Sequence, residues 1–323
     1  MYLMKFLKKI PHSQEHLDFS LPIYVYANRK NAGDFLSAKG VKTAVGIEGT
    51  DLLIEDNHLQ VFLKHHGEKK AKMIIGGGGL LKDTFQPFWE MILSSKARYF
   101  IFGVGVCDIK TKGSLLPDEV FRNVILKAKA VYVRDSWTSS LIETKFGIKV
   151  HQILCPSILD IYSRFQCCQK RWPKQPRLLY VHHKKLIQLS NHSEYFVRDI
   201  VKNICKMNKF IFLEVDNICR NPDILLQQYI HADFIISTRL HGCVFSYALN
   251  KPFIAISADH KIDSFVHDYC NSSVLDINKL SLDSLNDIIH FGLSIPPRKD
   301  DFSLHLDTIK RAGETTQRLF RGA

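Results

Sequence analysis

Short runs of β-branched and aromatic residues alternate with amphipathic stretches along almost the whole chain, and this alternation restricts the fold more than any other feature. Expected strands are Ile23–Tyr26, Met73–Ile75, Tyr99–Val104, Ala130–Val133 and Val150–Leu154, then Leu178–His182, Phe210–Val215, Asp233–Ser237 and Pro252–Ile256. Between them, helical periodicity is expected over Phe85–Lys96, Asp118–Lys129, Ser136–Phe146, Tyr195–Met207, Pro222–Ile230, Gly242–Leu249 and Asp263–Tyr269. Strand–helix alternation of this kind means parallel sheets covered by helices on both faces. The pattern breaks at Gln166–Arg177, a polar, basic segment carrying Pro173 and Pro176. With 323 residues to place, the expected architecture is α/β: a Rossmann-like, doubly wound domain over residues 1–165, a linker over 166–177, and a second such domain over 178–323. A last amphipathic stretch, Leu304–Phe320, is expected as a helix that folds back on the first domain.

Charge narrows the partners. Lys and Arg number 44 against 32 Asp and Glu, a formal net charge of +12 with a pI near 9.2. Such a balance favours anionic partners. The basic residues are scattered and carry no zinc-finger or RNA-binding spacing, so phosphate-bearing small molecules or a lipid surface are expected rather than nucleic acid. No apolar run reaches the roughly 18–20 residues of a membrane span. The first residues, MYLMKFLKKIPHSQEH, lack the continuous apolar core of a signal peptide. Leu3, Phe6, Leu7 and Ile10 fall at helical spacing among lysines, a pattern that suits either an anionic membrane surface or packing on the domain. Eight cysteines without a C-x-x-C pair read as a reduced, cytosolic chain.

In open parallel sheets ligands bind beyond the carboxyl ends of the strands, and four strand ends carry chemistry. The first, Asn28-Arg29-Lys30-Asn31-Ala32-Gly33-Asp34, suits a strand-to-helix turn whose free N–H groups receive an anion; a plain turn with Asp34 in the first helical turn accounts for it equally. The second, Gly76-Gly77-Gly78-Gly79-Leu80-Leu81, lets backbone approach a phosphate or another chain segment. It lacks the Gly-Lys-Ser/Thr of a P-loop and the downstream acidic residue of a dinucleotide site. The third is Arg134-Asp135-Ser136, where Arg134 either faces a cleft or pairs locally with Asp135, and Asp135 or Ser136 caps the next helix. The fourth, Ser237-Thr238-Arg239-Leu240-His241-Gly242, follows a buried strand and is the most informative. It sets a forked cation suited to carboxylate or phosphate two residues from an imidazole able to act as acid or base. His182-His183 closes another strand, and at most one of the two faces the cleft. His65-His66 and the His12/His16 pair are expected in loops or on the surface, and no zinc spacing or D-x-D pattern is present.

Taken in order, these segments, followed by Asn250-Lys251-Pro252-Phe253-Ile254-Ala255-Ile256 and Lys261, resemble the polysaccharide pyruvyl transferase family over roughly residues 20 to 270. The resemblance implies two Rossmann-like domains in a GT-B-like arrangement with the site between them. It implies transfer of pyruvate from phosphoenolpyruvate onto two hydroxyls of a sugar in a glycan precursor, with release of phosphate, as in exopolysaccharide biosynthesis. It associates Arg134, Arg239 and His241 with phosphoenolpyruvate. His241 is the expected proton carrier and Asp34 the weaker candidate for the base. Asn31, Gly33, Gly76, Gly77, Gly78, Gly79, Ser237, Thr238 and His183 complete the expected substrate site. No metal or cofactor is expected, phosphoenolpyruvate being the donor substrate. The expected acceptor is a saccharide, the lipid-diphosphate-linked kind included, which a cytoplasmic enzyme touching the membrane's inner face would meet. The chain departs from the family pattern at its basic linker and at Cys155-Pro156-Ser157, where many relatives carry an Asp-rich turn. The same architecture suits a glycosyltransferase using a nucleotide sugar, and a non-catalytic glycan-assembly protein is the alternative from outside the enzymes.

Overall fold

The computed structural model describes residues 21–322 apart from 55–58, 60–62, 64–70, 108–114, 166–174, 185, 187–189, 191 and 295. The basic N-terminal segment, His12, His16, His65-His66, Cys167-Cys168 and most of the expected linker therefore lie outside the described residues.

The first half of the chain runs β1 (Ile23–Tyr26), α1 (Ala32–Val45), β2 (Thr50–Leu53), β3 (Lys72–Gly76), α2 (Gln86–Ser94), β4 (Arg98–Val104), α3 (Asp118–Lys127), β5 (Val131–Val133), α4 (Ser136–Phe146), β6 (His151–Gln152) and α5 (Ser157–Arg164). The second half runs β7 (Arg177–His182), α6 (Glu194–Met207), β8 (Ile211–Asp216), α7 (Pro222–His231), β9 (Phe234–Ser237), α8 (Leu240–Ala248), β10 (Phe253–Ser257), α9 (His260–Tyr269), β11 (Ser273–Asp276), α10 (Leu282–Ser294) and α11 (Phe302–Gly322).

Two sheets result, ordered β2-β1-β3-β4-β5-β6 and β11-β10-β9-β7-β8. Among the described residues every pair of neighbouring strands is parallel. In each sheet the first strand has its second on one side and its third on the other. The strand order therefore reverses between β1 and β3 and again between β7 and β9, opening a crevice at the carboxyl end of each sheet. The fold is α/β with two doubly wound units, as the alternation implied.

Several elements carry little sequence signal or differ from it, and the reasons are physical. β2 and β11 are edge strands, half exposed, so neither shows the continuous apolar run of a central strand. The helix α5 is brief, and its Ile158, Leu159 and Ile161 are buried between the halves instead of on a sheet. The expected strand Val150–Leu154 contracts to His151–Gln152, with Ile153 and Leu154 turning into the core. The helix α10 follows a short 3-10 turn at Ile277–Lys279 and covers the second sheet through Leu285 and Ile289.

One core joins the halves. Tyr24, Leu36, Ile74 and Ile158 belong to the same buried cluster as Val181, Cys243, Phe245 and Ile309. The last helix, α11, closes this layer against α1, and Lys72 Nζ, at the start of β3, donates to the Phe320 carbonyl at 2.7 Å. Across the other side, α9 serves as a foreign cap for α4. Asp268 accepts from the Ser136 N–H at 3.0 Å and from its hydroxyl at 2.8 Å, and Ser264 Oγ accepts from the Trp137 N–H at 3.1 Å. These are first-turn amides that no intrahelical carbonyl reaches. Trp137 stacks on His260 with ring centroids 4.4 Å apart.

Asp268→Ala removes that cap and leaves the Ser136 amide without its partner. A loss of about 1–2 kcal/mol is expected in urea unfolding at unchanged m-value; a loss confined to a few tenths would show that this contact does not hold the halves together.

Candidate functional site

The two crevices open on one cleft of about 500 Å³. Its first wall carries Asn31 and Asp34 from the start of α1, Gly79 after β3, Cys107 after β4 and Arg134 after β5. The opposite wall carries His183 after β7, Thr238, Arg239 and His241 after β9, and Asp259 and Lys261 after β10. Each comes from the carboxyl end of a strand, as the open-sheet rule requires.

Local chemistry fixes each position. Asn31 caps α1: its Oδ1 accepts the Gly33 N–H at 3.1 Å, and its Nδ2 donates to Asp34 Oδ2 at 3.0 Å. Asp135 caps α4, accepting the Thr138 N–H at 2.8 Å and hydroxyl at 2.6 Å. Its Oδ2 faces Arg134 Nε at 3.4 Å, and both side chains are almost fully buried. The turn after β9 is held by its own side chain: the Ser237 hydroxyl donates to the Arg239 carbonyl at 2.8 Å and accepts from the Arg239 N–H at 3.1 Å. Thr238 is anchored through its N–H and hydroxyl to the Val181 carbonyl, at 3.0 and 3.2 Å.

Of the residues singled out in the sequence, Asn31, Asp34, Gly79, Arg134, His183, Thr238, Arg239 and His241 come together on the cleft wall. Ser237 lies behind it, shaping the turn. Gly33 lies beneath His241, and a Cβ there would overlap the imidazole. The remaining glycines serve packing: Gly76 ends β3, and the Gly77 N–H donates to the Phe102 carbonyl at 3.3 Å. Gly77 and Gly78 have φ of +78° and +88°, in the region that favours glycine, and a side chain on Gly78 would strike the Asp34 carboxylate. Of the four glycines Gly79 lines the cleft, while Gly77 and Gly78 let the turn after β3 press against α1.

Other cleft residues carry weaker sequence signals. Lys261 enters only through the resemblance, and Lys82, Cys107 and Asp259 stand in no motif. Asp259 and Lys261 have a positional signal all the same, since they follow strand β10 as Arg239 follows β9. Asp259 caps α9 and binds Lys261 Nζ at 2.6 Å. Asp216, at the end of β8, holds Arg239 Nη1 at 2.9 Å. Arg134, Arg239 and Lys261 therefore each stand at the cleft beside a carboxylate.

Burial is the largest single influence on Arg134 and Lys261 and works against their charges. Asp135, Cys107, Cys155 and Asp259 together outweigh it at Arg134, and Asp259 with Cys107 does so at Lys261, so both groups keep their protons above the ordinary range. The histidines go the other way. Burial, then Arg134, Arg239 and Lys261, push His241 well below the usual imidazole range. Burial, then Arg239 and Lys261, lower His183 to about 3. Both rings are neutral at neutral pH. Among the described residues no group of three or more His, Cys, Asp or Glu is placed to share a metal ion, and no helix is long and apolar enough to cross a membrane.

The paired switch-point crevices define the class: a GT-B-like protein of two Rossmann-like units. Solved structures agree on the fold. The UDP-GlcNAc 2-epimerase of Methanocaldococcus jannaschii, solved with UDP-GlcNAc and UDP, is similar at TM-score 0.60 and 8% identity, over 94% of this chain and 99% of that one. The MnaA protein of S. aureus, solved with UDP, gives 0.54 at 10% identity, over 92% and 97%. A functionally uncharacterised Klebsiella pneumoniae protein gives 0.51 at 15%, over 80% and 93%. No curated protein sequence matches this chain. The sequence pattern of polysaccharide pyruvyl transferases matches residues 3–260, and the chain belongs to that family.

Acid stability follows from the two neutral histidines. Their folded values lie below the unfolded 6.5, so the unfolded chain binds more protons and stability falls as pH drops below about 6.5. The slope contributed is at most about 1.4 kcal/mol per pH unit for each ring. Urea unfolding between pH 7 and 5 is expected to show this decline, reduced in His241→Gln; a flat profile would mean that the rings are not held neutral.

Proposed function

We propose that this chain transfers pyruvate from phosphoenolpyruvate onto two hydroxyls of one sugar, forming a cyclic ketal and releasing phosphate. The observation that carries the reading is the convergence of Arg134, Arg239 and Lys261 on one cleft beside a neutral His241. Phosphoenolpyruvate carries a carboxylate and a phosphate, and guanidinium groups match both bidentately. Cations contributed by both halves hold the two anionic ends of one small molecule.

The chemistry assigns tasks to the residues. A sugar hydroxyl adds to C2 of the donor and gives up its proton while C3 takes up one. The C2–O bond to phosphate breaks, the second hydroxyl closes the ring at C2, and its proton leaves with the phosphate. A neutral imidazole among cations is ready to accept the hydroxyl proton. Once the anionic donor offsets the field of Arg134, Arg239 and Lys261, imidazolium costs less there, and His241 can pass its proton on. Asp34, fixed by Asn31, is the second candidate for proton transfer. The excess of positive charge suits an acceptor that is itself anionic, such as a lipid-diphosphate-linked saccharide presented at a membrane surface. A cytoplasmic enzyme at that surface fits this supply of donor and acceptor. A second reading, glycosyl transfer from a nucleotide sugar, draws on the fold similarity to proteins solved with UDP.

The test is phosphate release from phosphoenolpyruvate in the presence of a saccharide panel, with the product's mass checked for the added ketal. His241→Ala is expected to reduce turnover by about 10²–10⁴-fold with the fold retained. Near-normal turnover in that variant would remove His241 from the chemistry, and transfer from a nucleotide sugar alone would replace the whole reading.

A further inference from the structure

One turn, Asp216–Cys219, touches both walls of the cleft. Asp216 ends β8, two strands away from β9, yet its carboxylate reaches Arg239 across the end of β7. The Asp216 side chain is 7% exposed, and its other oxygen lies 3.6 Å from Lys184 Nζ. The following three residues turn toward the other half. The fully buried Asn217 accepts the Ala32 N–H on its carbonyl at 2.9 Å and the Tyr229 hydroxyl on Oδ1 at 2.7 Å. Ile218 forms an antiparallel bridge with Asn31, and the Cys219 N–H donates to the Lys30 carbonyl at 2.8 Å. Those partners are the entry and first turn of α1, where Asp34 stands and where His241 packs on Gly33.

We propose that Asp216 is a positioning residue that presents Arg239 to an anionic ligand, and that its turn ties this setting to the docking of α1. The inference rests on the reading of the cleft as an anion site. A free arginine side chain samples many rotamers, and a fixed carboxylate removes that freedom before the ligand arrives. The carboxylate holds Nη1, and Arg239 keeps further N–H groups that can face the cleft. Because the same turn accepts the Ala32 amide, a shift of α1 moves the counterion of Arg239 with it.

A double-mutant cycle separates this role from a merely structural one. Asp216→Asn, Arg239→Ala and the pair are titrated with phosphoenolpyruvate and, separately, with inorganic phosphate, by calorimetry on the full chain. Asp216→Asn is expected to weaken phosphoenolpyruvate binding about 10-fold in the wild-type background and less than about 2-fold with Arg239 already removed, the signature of action through that residue. In turnover the change is expected in KM, with kcat altered less, and Asp216→Glu is expected to recover part of the affinity. Equal weakening in both backgrounds, or wild-type affinity in Asp216→Asn, would overturn the proposal. If wild type binds a nucleotide sugar and not phosphoenolpyruvate, the donor assignment fails while the same cycle, run with that nucleotide sugar, still decides the role of Asp216.

Discussion

The cleft depends on the close approach of α8 to α1 at Gly33. A side chain there would occupy the space of the His241 ring, so the two halves could not meet as they do. The contact lies at the edge of a buried cluster shared by both sheets, with α5 lodged between α1 and α8. Packing of this density does not deform gradually. The positions of His241, Asp34 and the α1 amides are consequently set together, and the strand-end cations are arranged around that fixed point.

Electrostatics gives the arrangement its use. Arg134, Arg239 and Lys261 are each met by a buried carboxylate, so their charges persist where isolated cations would be costly. His183 and His241 sit in the field of the same cations and stay neutral. An anion that enters the cleft thus finds fixed cations, and its own charge changes what the neighbouring imidazole can do. In the proposed reaction, the charge of the anionic donor by itself would raise the proton affinity of His241.

Much of this is legible in the sequence because strand ends are local. The run from Asp233 to Gly242 shows a buried strand, a polar turn and a helix start, and Arg239 and His241 fall where that order puts them. Helix α4 spans Ser136–Phe146 as its pattern predicts, with Asp135 as the cap. What the sequence hides depends on tertiary contact. Nothing near Asp216 says that it will meet Arg239, 23 positions later. The four glycines look like a ligand loop, yet Gly77 and Gly78 let the turn after β3 lie against Ser37 and Asp34. Edge strands β2 and β11, half exposed, carry no signal of their own.

The central claim is that the cleft takes phosphoenolpyruvate through cations from both halves. Thermal unfolding of wild type and Arg239→Ala against phosphoenolpyruvate and a panel of nucleotide sugars tests it most directly. At 100-fold excess over Kd a ligand adds about 2.7 kcal/mol, a shift of several degrees. A shift with phosphoenolpyruvate that Arg239→Ala loses is the predicted result; a shift with a nucleotide sugar alone would contradict it.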